Sequence, residues 1–244
     1  MHIGDGLLDL TILIPLWIVV FAYGAYSLMK MRNSLKGELT PIASVLTAAV
    51  FAFQMLNFPI AAGTSGHFLG FMLLAILISP SAAFWMMTVV LCIQAFIFAD
   101  GGILALGANI FNMSIATLPG YFFYWIIRKR MVKPLNNEKS LSKSEVHSTS
   151  LKQDDSNNYQ DRGLLIGAFV GAYFSITFAS LICGLEIGFS SSFPYPISLT
   201  VPLMLGYHAL IGIGEALITT FVVVFFKKYA PEYIPDIQKI PIWS

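Results

Sequence analysis

The chain has 244 residues, of which 57% are hydrophobic and 11% charged, less than half the share of charge in a soluble domain, about 25%. That scarcity argues against a water-soluble fold, and no nucleic-acid partner is expected. The formal net charge of +1 is informative only through where the charges fall, because orientation in a bilayer depends on the placement of Lys and Arg.

An apolar run of about 20 residues can cross the hydrocarbon core as an α-helix. Seven such helices are predicted, at 7–29, 40–61, 66–79, 82–99, 103–127, 163–188 and 198–226. Before the first there is no basic segment, the first positive charge being Lys30, so the start of the chain reads as a retained helix rather than a secretory signal. Lys30, Arg32 and Lys36 follow it, which predicts an external N-terminus. Residues 65–99 carry no Lys, Arg, Asp or Glu and are interrupted only at Ser79-Pro80-Ser81. Read as one crossing, they would force Arg128-Lys129-Arg130 outside. Read as a two-helix hairpin turning near Pro80, they leave that cluster and Lys227-Lys228 inside. The expected fold is therefore an all-α, polytopic membrane bundle of about seven helices, with the N-terminus outside and the C-terminus cytoplasmic.

Under this topology all 14 Lys and Arg residues are cytoplasmic, while Asp5, Asp9, Asp100 and Glu186 fall at or near the outer face. Two explanations stand: an acidic funnel for cations, or simple exclusion of positive charge from translocated loops. Residues 131–162, rich in Ser, Asn, Lys and Asp, read as a flexible cytoplasmic linker within a single transmembrane domain spanning 1–244. Gly163, Gly167, Gly171 and Ser175 form a stripe of small residues that predicts close helix packing, with docking of a partner subunit as the alternative. Cys92 and Cys183 lie in apolar stretches without CxxC spacing and read as packing residues.

The start of the chain carries the sharpest chemistry. Met1 is followed directly by His2. An α-amine and the next amide nitrogen close a five-membered chelate ring on an ion, and that amide with the imidazole Nδ1 closes a six-membered one. Three adjacent planar nitrogen donors result, and a fourth completes the square plane associated with Ni(II) and Cu(II). His67, in the segment NFPIAAGTSGHFLG, is the candidate, on the same side as Met1 under the topology above. The chelate requires a free amine and loss of the amide proton, so affinity should fall with pH. The bland alternative makes His2 an arbitrary early residue and His67 a hydrogen-bonded histidine at a helix start.

MHIGDG at the start, NFPIAAGTSGHFLG from Asn57, DGGILALGANIFNM from Asp100 and YHALIGIGEALIT from Tyr207 resemble the signature blocks of the CbiM/NikM family. These are the substrate-capturing components of energy-coupling-factor cobalt and nickel importers of the cell membrane. The resemblance implies that the Met1 amine, the His2 amide and imidazole, and the His67 imidazole bind the transported ion. Gly4 stands where the family often has Pro. The resemblance also implies a transmembrane coupling subunit, two cytoplasmic ATPase subunits and a small accessory membrane subunit as partners. No GxxxxGKS phosphate loop is present, so ATP hydrolysis is expected on those partners and this chain is expected not to be an enzyme, with no cofactor beyond the transported ion.

Around the expected site, Thr64 and Ser65 could orient His67 or its loop, and Asp5 and Asp100 could neutralise charge. His208 and Glu215, seven residues apart in the last helix, share a face. His208 reads as lining a path or as packing. Glu215 is expected in the inner half and is not expected to be a ligand. Two other functions remain as alternatives: capture of a vitamin-like organic ligand, and an intramembrane metal-dependent hydrolase built on His67, His208, Asp100 and Glu215. Against the second, neither HExxH nor GxSxG occurs.

Overall fold

Residues 1–34, 39–60, 64–131 and 146–235 are described by the computed structural model, those at 32–34, 64 and 146–160 by their backbone alone. Lys36 and residues 132–145 of the expected linker lie outside the described residues, as does the side chain of Thr64.

Asp9 starts the first helix by accepting Ile12 and Leu13 N–H on its carbonyl, and α1 runs from Leu10 to Ser34. Helix α2, Leu39–Gln54, ends seven residues before the expected boundary at 61. The chain turns instead into a hairpin of two short antiparallel strands, β1 (Phe58–Ile60) and β2 (Thr64–Gly66), with Pro59 opposite Ser65. Pro59 explains the difference, since the residue before a proline is pushed out of the helical region and proline offers no N–H.

The expected helix at 66–79 contracts to α3, Phe71–Leu77, a fully buried helix about 10 Å long. Gly70 enters it with φ 74 and Ile78 leaves it in a non-helical conformation. Ser79 then caps α4, Pro80–Ile97, accepting Ala82 N–H on its side chain. The expected hairpin at Pro80 is nonetheless present. Gln54 reaches both Leu69, just before α3, and Gln94, near the end of α4, so the two ends of this segment lie at one level.

Beyond α4, Leu106–Ile110 (α5), a π-helical turn at Phe111–Ile115 and Leu118–Met131 (α6) follow one another closely. Helix α7, Val146–Phe189, begins before the expected residue 163, so residues 146–162 of the expected linker are helical. Helix α8, Ile197–Tyr229, and a 3-10 turn at Pro231–Tyr233 close the described chain. Among the described residues, five stretches are long and apolar enough to cross a membrane: Leu10–Met31, Pro80–Ile97, Leu106–Met131, Asp161–Phe189 and Ile197–Tyr229. The chain is thus a polytopic helical membrane protein.

The small stripe on α7 is covered from within. A Cβ on Gly171 would come within 2.8 Å of the Gly120 carbonyl and 2.9 Å of Tyr124 Cβ, and one on Gly167 within 3.1 Å of the Tyr124 carbonyl. Backbone-to-backbone approach of α6 and α7 is therefore what these glycines permit, as in other membrane bundles. Where the apolar stretch of α7 begins, Asp161 pairs with Lys227 of α8. At the opposite end, Asp9 binds Ser191 N–H and the Ser191 and Ser192 hydroxyls, tying the start of α1 to the α7–α8 turn.

Gly171→Leu is expected to destabilise the bundle by about 1–3 kcal/mol, the usual cost of overpacking. Gly206→Ala, where a Cβ meets nothing within 4 Å, should leave thermal unfolding in detergent unchanged. Equal melting temperatures for the two variants would contradict the α6–α7 contact.

Candidate functional site

The first five residues are locked at nearly every position. The Met1 amine donates to the Ser65 carbonyl and stands 3.3 Å from the Ser65 hydroxyl. Ile3 is clamped by one side chain: Asn109 accepts its N–H at 2.8 Å and donates to its carbonyl at 3.0 Å. That carbonyl also accepts Gly102 N–H. Asp5 accepts three successive backbone N–H groups, from Ile103, Leu104 and Ala105, at 2.8–3.1 Å. Gly102 has no alternative here, because a Cβ would run into the Asp5 backbone and carboxylate. Among the described residues, the His2 amide N–H is left without an acceptor.

This lock carries His2 against His67. Their rings stack with centroids 4.4 Å apart and planes inclined by 28°. His67 follows β2 and is completely buried, as is Met1. The β1–β2 hairpin thus sets the depth of His67, while α4 supplies the wall behind His2. His2 Nε2 lies 3.0 Å from Gln94 Oε1. His67 Nδ1 lies 2.8 Å from the Phe68 carbonyl, which can only accept, so that nitrogen carries the proton. His2 Nδ1 and His67 Nε2 are left buried without a hydrogen-bond partner.

Burial also determines protonation. Loss of water around the Met1 amine holds its pKa down at about 5. His2 is held at about 3 by burial first and by the neighbouring amine second. His67 is pushed well below the usual imidazole range by burial, with the amine, His2 and His208 all opposing a further positive charge. All three groups are therefore neutral at pH 7 and offer lone pairs. Asp100 Oδ1 lies 3.4 Å from His2 Nδ1. With His2 neutral this contact is not an ion pair. Burial raises the Asp100 pKa and the amine opposes that shift. Ala99, with φ 53, and Gly101, with φ 91, fold the end of α4 back so that Asp100 reaches this position. Above it a cleft of about 530 Å³, lined by His2, Asn57, Ser65 and Asp100 among others, leads to His2.

Of the residues expected at the site, Met1, His2, Ser65, His67 and Asp100 come together. Asp5 does not: its carboxylate is occupied by the 103–105 backbone and positions the N-terminal strand instead. The acidic funnel is reduced in the same way. Asp9 is engaged by the serine turn, and buried Glu186 accepts from Asn112 Nδ2 at 2.6 Å, which leaves Asp100 alone beside the rings. Glu215 lies closer to the site than expected. Its two oxygens accept Leu69 and Gly70 N–H at 2.7 Å each, fixing the turn that follows His67. His208 Nδ1 lies 2.8 Å from the Met204 carbonyl, and its Nε2 is a third buried imidazole nitrogen without a hydrogen-bond partner. Gln54, Gln94 and Asn109 were not anticipated. Uncharged amides inside otherwise apolar helices were the available signal.

Comparison with known proteins agrees with this architecture. Residues 2–233 match the family described as cobalt uptake substrate-specific transmembrane region, CbiM. The chain is 38% identical over 235 residues to the inferred fused nickel transport protein NikMN of Archaeoglobus fulgidus, covering 96% of this chain and 68% of that protein. It is 28% identical to the fused nickel transport protein NikMN of Rhodobacter capsulatus, with 96% of this chain and 64% of that one covered. A crystal structure of a transition metal transporter superposes with a TM-score of 0.72 at 31% identity, over 93% of each chain. The N-terminal lock and the buried imidazoles therefore sit in a chain that belongs to the CbiM family of cobalt-uptake transmembrane proteins.

Proposed function

We propose that this chain is the substrate-capture component of an energy-coupling-factor importer in the cell membrane, and that its substrate is divalent nickel or cobalt. The ion is held by the Met1 amine, the His2 amide nitrogen, His2 Nδ1 and His67 Nε2. One observation carries the reading: an amine and two imidazoles are buried together, with a nitrogen of each ring and, among the described residues, the intervening amide left without a hydrogen-bond partner. Buried polar groups are normally hydrogen-bonded, and leaving one unpaired costs about 1–3 kcal/mol. A cation that accepts these lone pairs removes that cost. Four nitrogen donors suit the square plane favoured by Ni(II).

Asp100 offsets part of the ion's charge, and the cleft above His2 is the way in. Because the rings now stack, an ion in the plane of one lies outside the plane of the other, so loading turns at least one ring. His208 offers a further neutral nitrogen along the route from the site. The external N-terminus and cytoplasmic C-terminus follow from the basic residues at the ends of α1, α6 and α8. The bundle acts as a single domain. A transmembrane coupling subunit, two cytoplasmic ATPases and a small accessory membrane subunit supply the energy and the reorientation. The names of the relatives, nickel transport proteins and a transition metal transporter, support transport rather than catalysis.

Purified protein with a free Met1 amine should carry about one nickel or cobalt ion per chain. One residue added ahead of Met1, or His67→Ala, should remove it, while a C-terminal tag should not. Full metal content in the extended protein would exclude the amine as a ligand. Asp100→Asn should weaken nickel retention by about tenfold, the lower end of the range for residues that support a ligand; unchanged affinity would assign Asp100 to the turn alone.

Proton release gives a separate test. The amine pKa is about 5 and that of His2 about 3, so neither gives up a proton on binding at pH 7. Only the amide does, and calorimetry in buffers of different ionisation enthalpy should count about one proton per ion. Ordinary values for the amine and imidazoles would add more than one further proton. Below about pH 5 the amine begins to protonate and affinity should fall more steeply.

A further inference from the structure

Two buried glutamines have no part in the chelate as described. Gln54 lies in α2 and Gln94 in α4, and both are completely buried. Their hydrogen bonds form a single file. Gln54 Nε2 donates to the Leu69 carbonyl at 2.6 Å, Gln94 Nε2 donates to Gln54 Oε1 at 3.1 Å, and Gln94 Oε1 faces His2 Nε2 at 3.0 Å.

The direction of this file is fixed at its far end. A backbone carbonyl can only accept, so Gln54 must turn its NH2 group toward Leu69 and its oxygen toward Gln94. Gln94 must then present its own NH2 group to Gln54 and its oxygen to His2. An oxygen accepts, so the proton of neutral His2 sits on Nε2 and the lone pair on Nδ1. The anchor itself is held: the Leu69 N–H is bound by Glu215.

We propose that Gln94, oriented by Gln54, is a positioning residue that sets the tautomer of His2 and so keeps Nδ1 open for the incoming ion. The proposal rests on the chelate described above, whose six-membered ring closes only through Nδ1. It also identifies what the glutamines work against. Asp100 Oδ1, 3.4 Å from Nδ1, would accept a proton placed on that nitrogen and thereby favour the tautomer that cannot chelate. Gln94 holds the proton on the opposite side of the ring. The carboxylate can then stay close to the ion without first capturing the hydrogen that would block it.

The test uses full-length protein freed of metal, with its four histidines labelled with 15N and the His2 signal identified by its loss in His2→Ala. Two-bond 1H–15N correlations report which ring nitrogen bears hydrogen. His2 is expected as the Nε2–H form in the parent protein. Gln94→Met should shift it toward Nδ1–H and lower nickel affinity tenfold or more, within the range for residues that orient a ligand. Gln94→Glu should restore both. A neutral carboxyl there accepts from His2 through its carbonyl oxygen and donates its O–H to Gln54. Gln54→Met, which touches no ligand, should produce a mixed tautomer and a smaller loss.

Parent protein in the Nδ1–H form, or Gln94→Met with unchanged tautomer and affinity, overturns the proposal. Nickel binding that survives His2→Ala, with His2 in the Nε2–H form, would instead overturn the chelate and leave the tautomer assignment in place.

Discussion

A primary amine taken out of water is normally a liability, since its charged form loses hydration and its neutral form needs a partner. Everything at this site depends on the bundle accepting that burden at Met1. The amine sits against Ser65, the next backbone amide is left open, and Ile3 is gripped on both sides by Asn109. Without that grip, the first residues of the chain would fray as termini usually do, and no neighbouring imidazole could meet them reproducibly. Burial has a second effect. It keeps the amine and both rings uncharged, the state that the proposed chelate requires.

The acidic residues illustrate how one residue type is divided between construction and chemistry. Asp5 and Glu215 bind backbone N–H groups, one at the loop before α5 and the other at the turn before α3. Asp9 joins α1 to the α7–α8 turn. Glu215 satisfies backbone N–H groups inside the bundle, whereas Asp5 and Asp9 pin exposed loops at its end; in each case backbone donors occupy the carboxylate. Asp100 is the exception because a left-handed residue on either side of it aims its carboxylate at His2 instead of at the backbone.

Much of this was legible in the sequence because hydropathy and basic clusters act over whole helices. The hairpin at Pro80 and the meeting of Met1, His2, Ser65 and His67 at one end of the bundle follow from such patterns together with the family's motif blocks. Features governed by single residues were not legible in this way. Pro59 ends α2 early and leads into a pair of strands, and the depth of His67 depends on that local turn. Helix α3 is short because residues 67–70 form a non-helical turn that enters it through the left-handed Gly70, which no apolar count reveals. Asp5 could not be separated from Asp100 by position, since both are acidic residues beside glycines in loops at the same end. Gln54 and Gln94 stand forty residues apart, and their pairing exists only once α2 and α4 are side by side.

The reach of the N-terminal contacts has a consequence for biosynthesis. Met1 is made before every one of the partners of this segment: Ser65, Gln94 for the adjoining ring, Asn109 for Ile3 and, through Asp9, the serines near 191. Synthesis must reach residue 109 before Ser65, Gln94 and Asn109 are all available, and residue 191 before the last tie at Ser191 can form. A chain halted short of Asn109 therefore presents its opening residues with no enclosure around them.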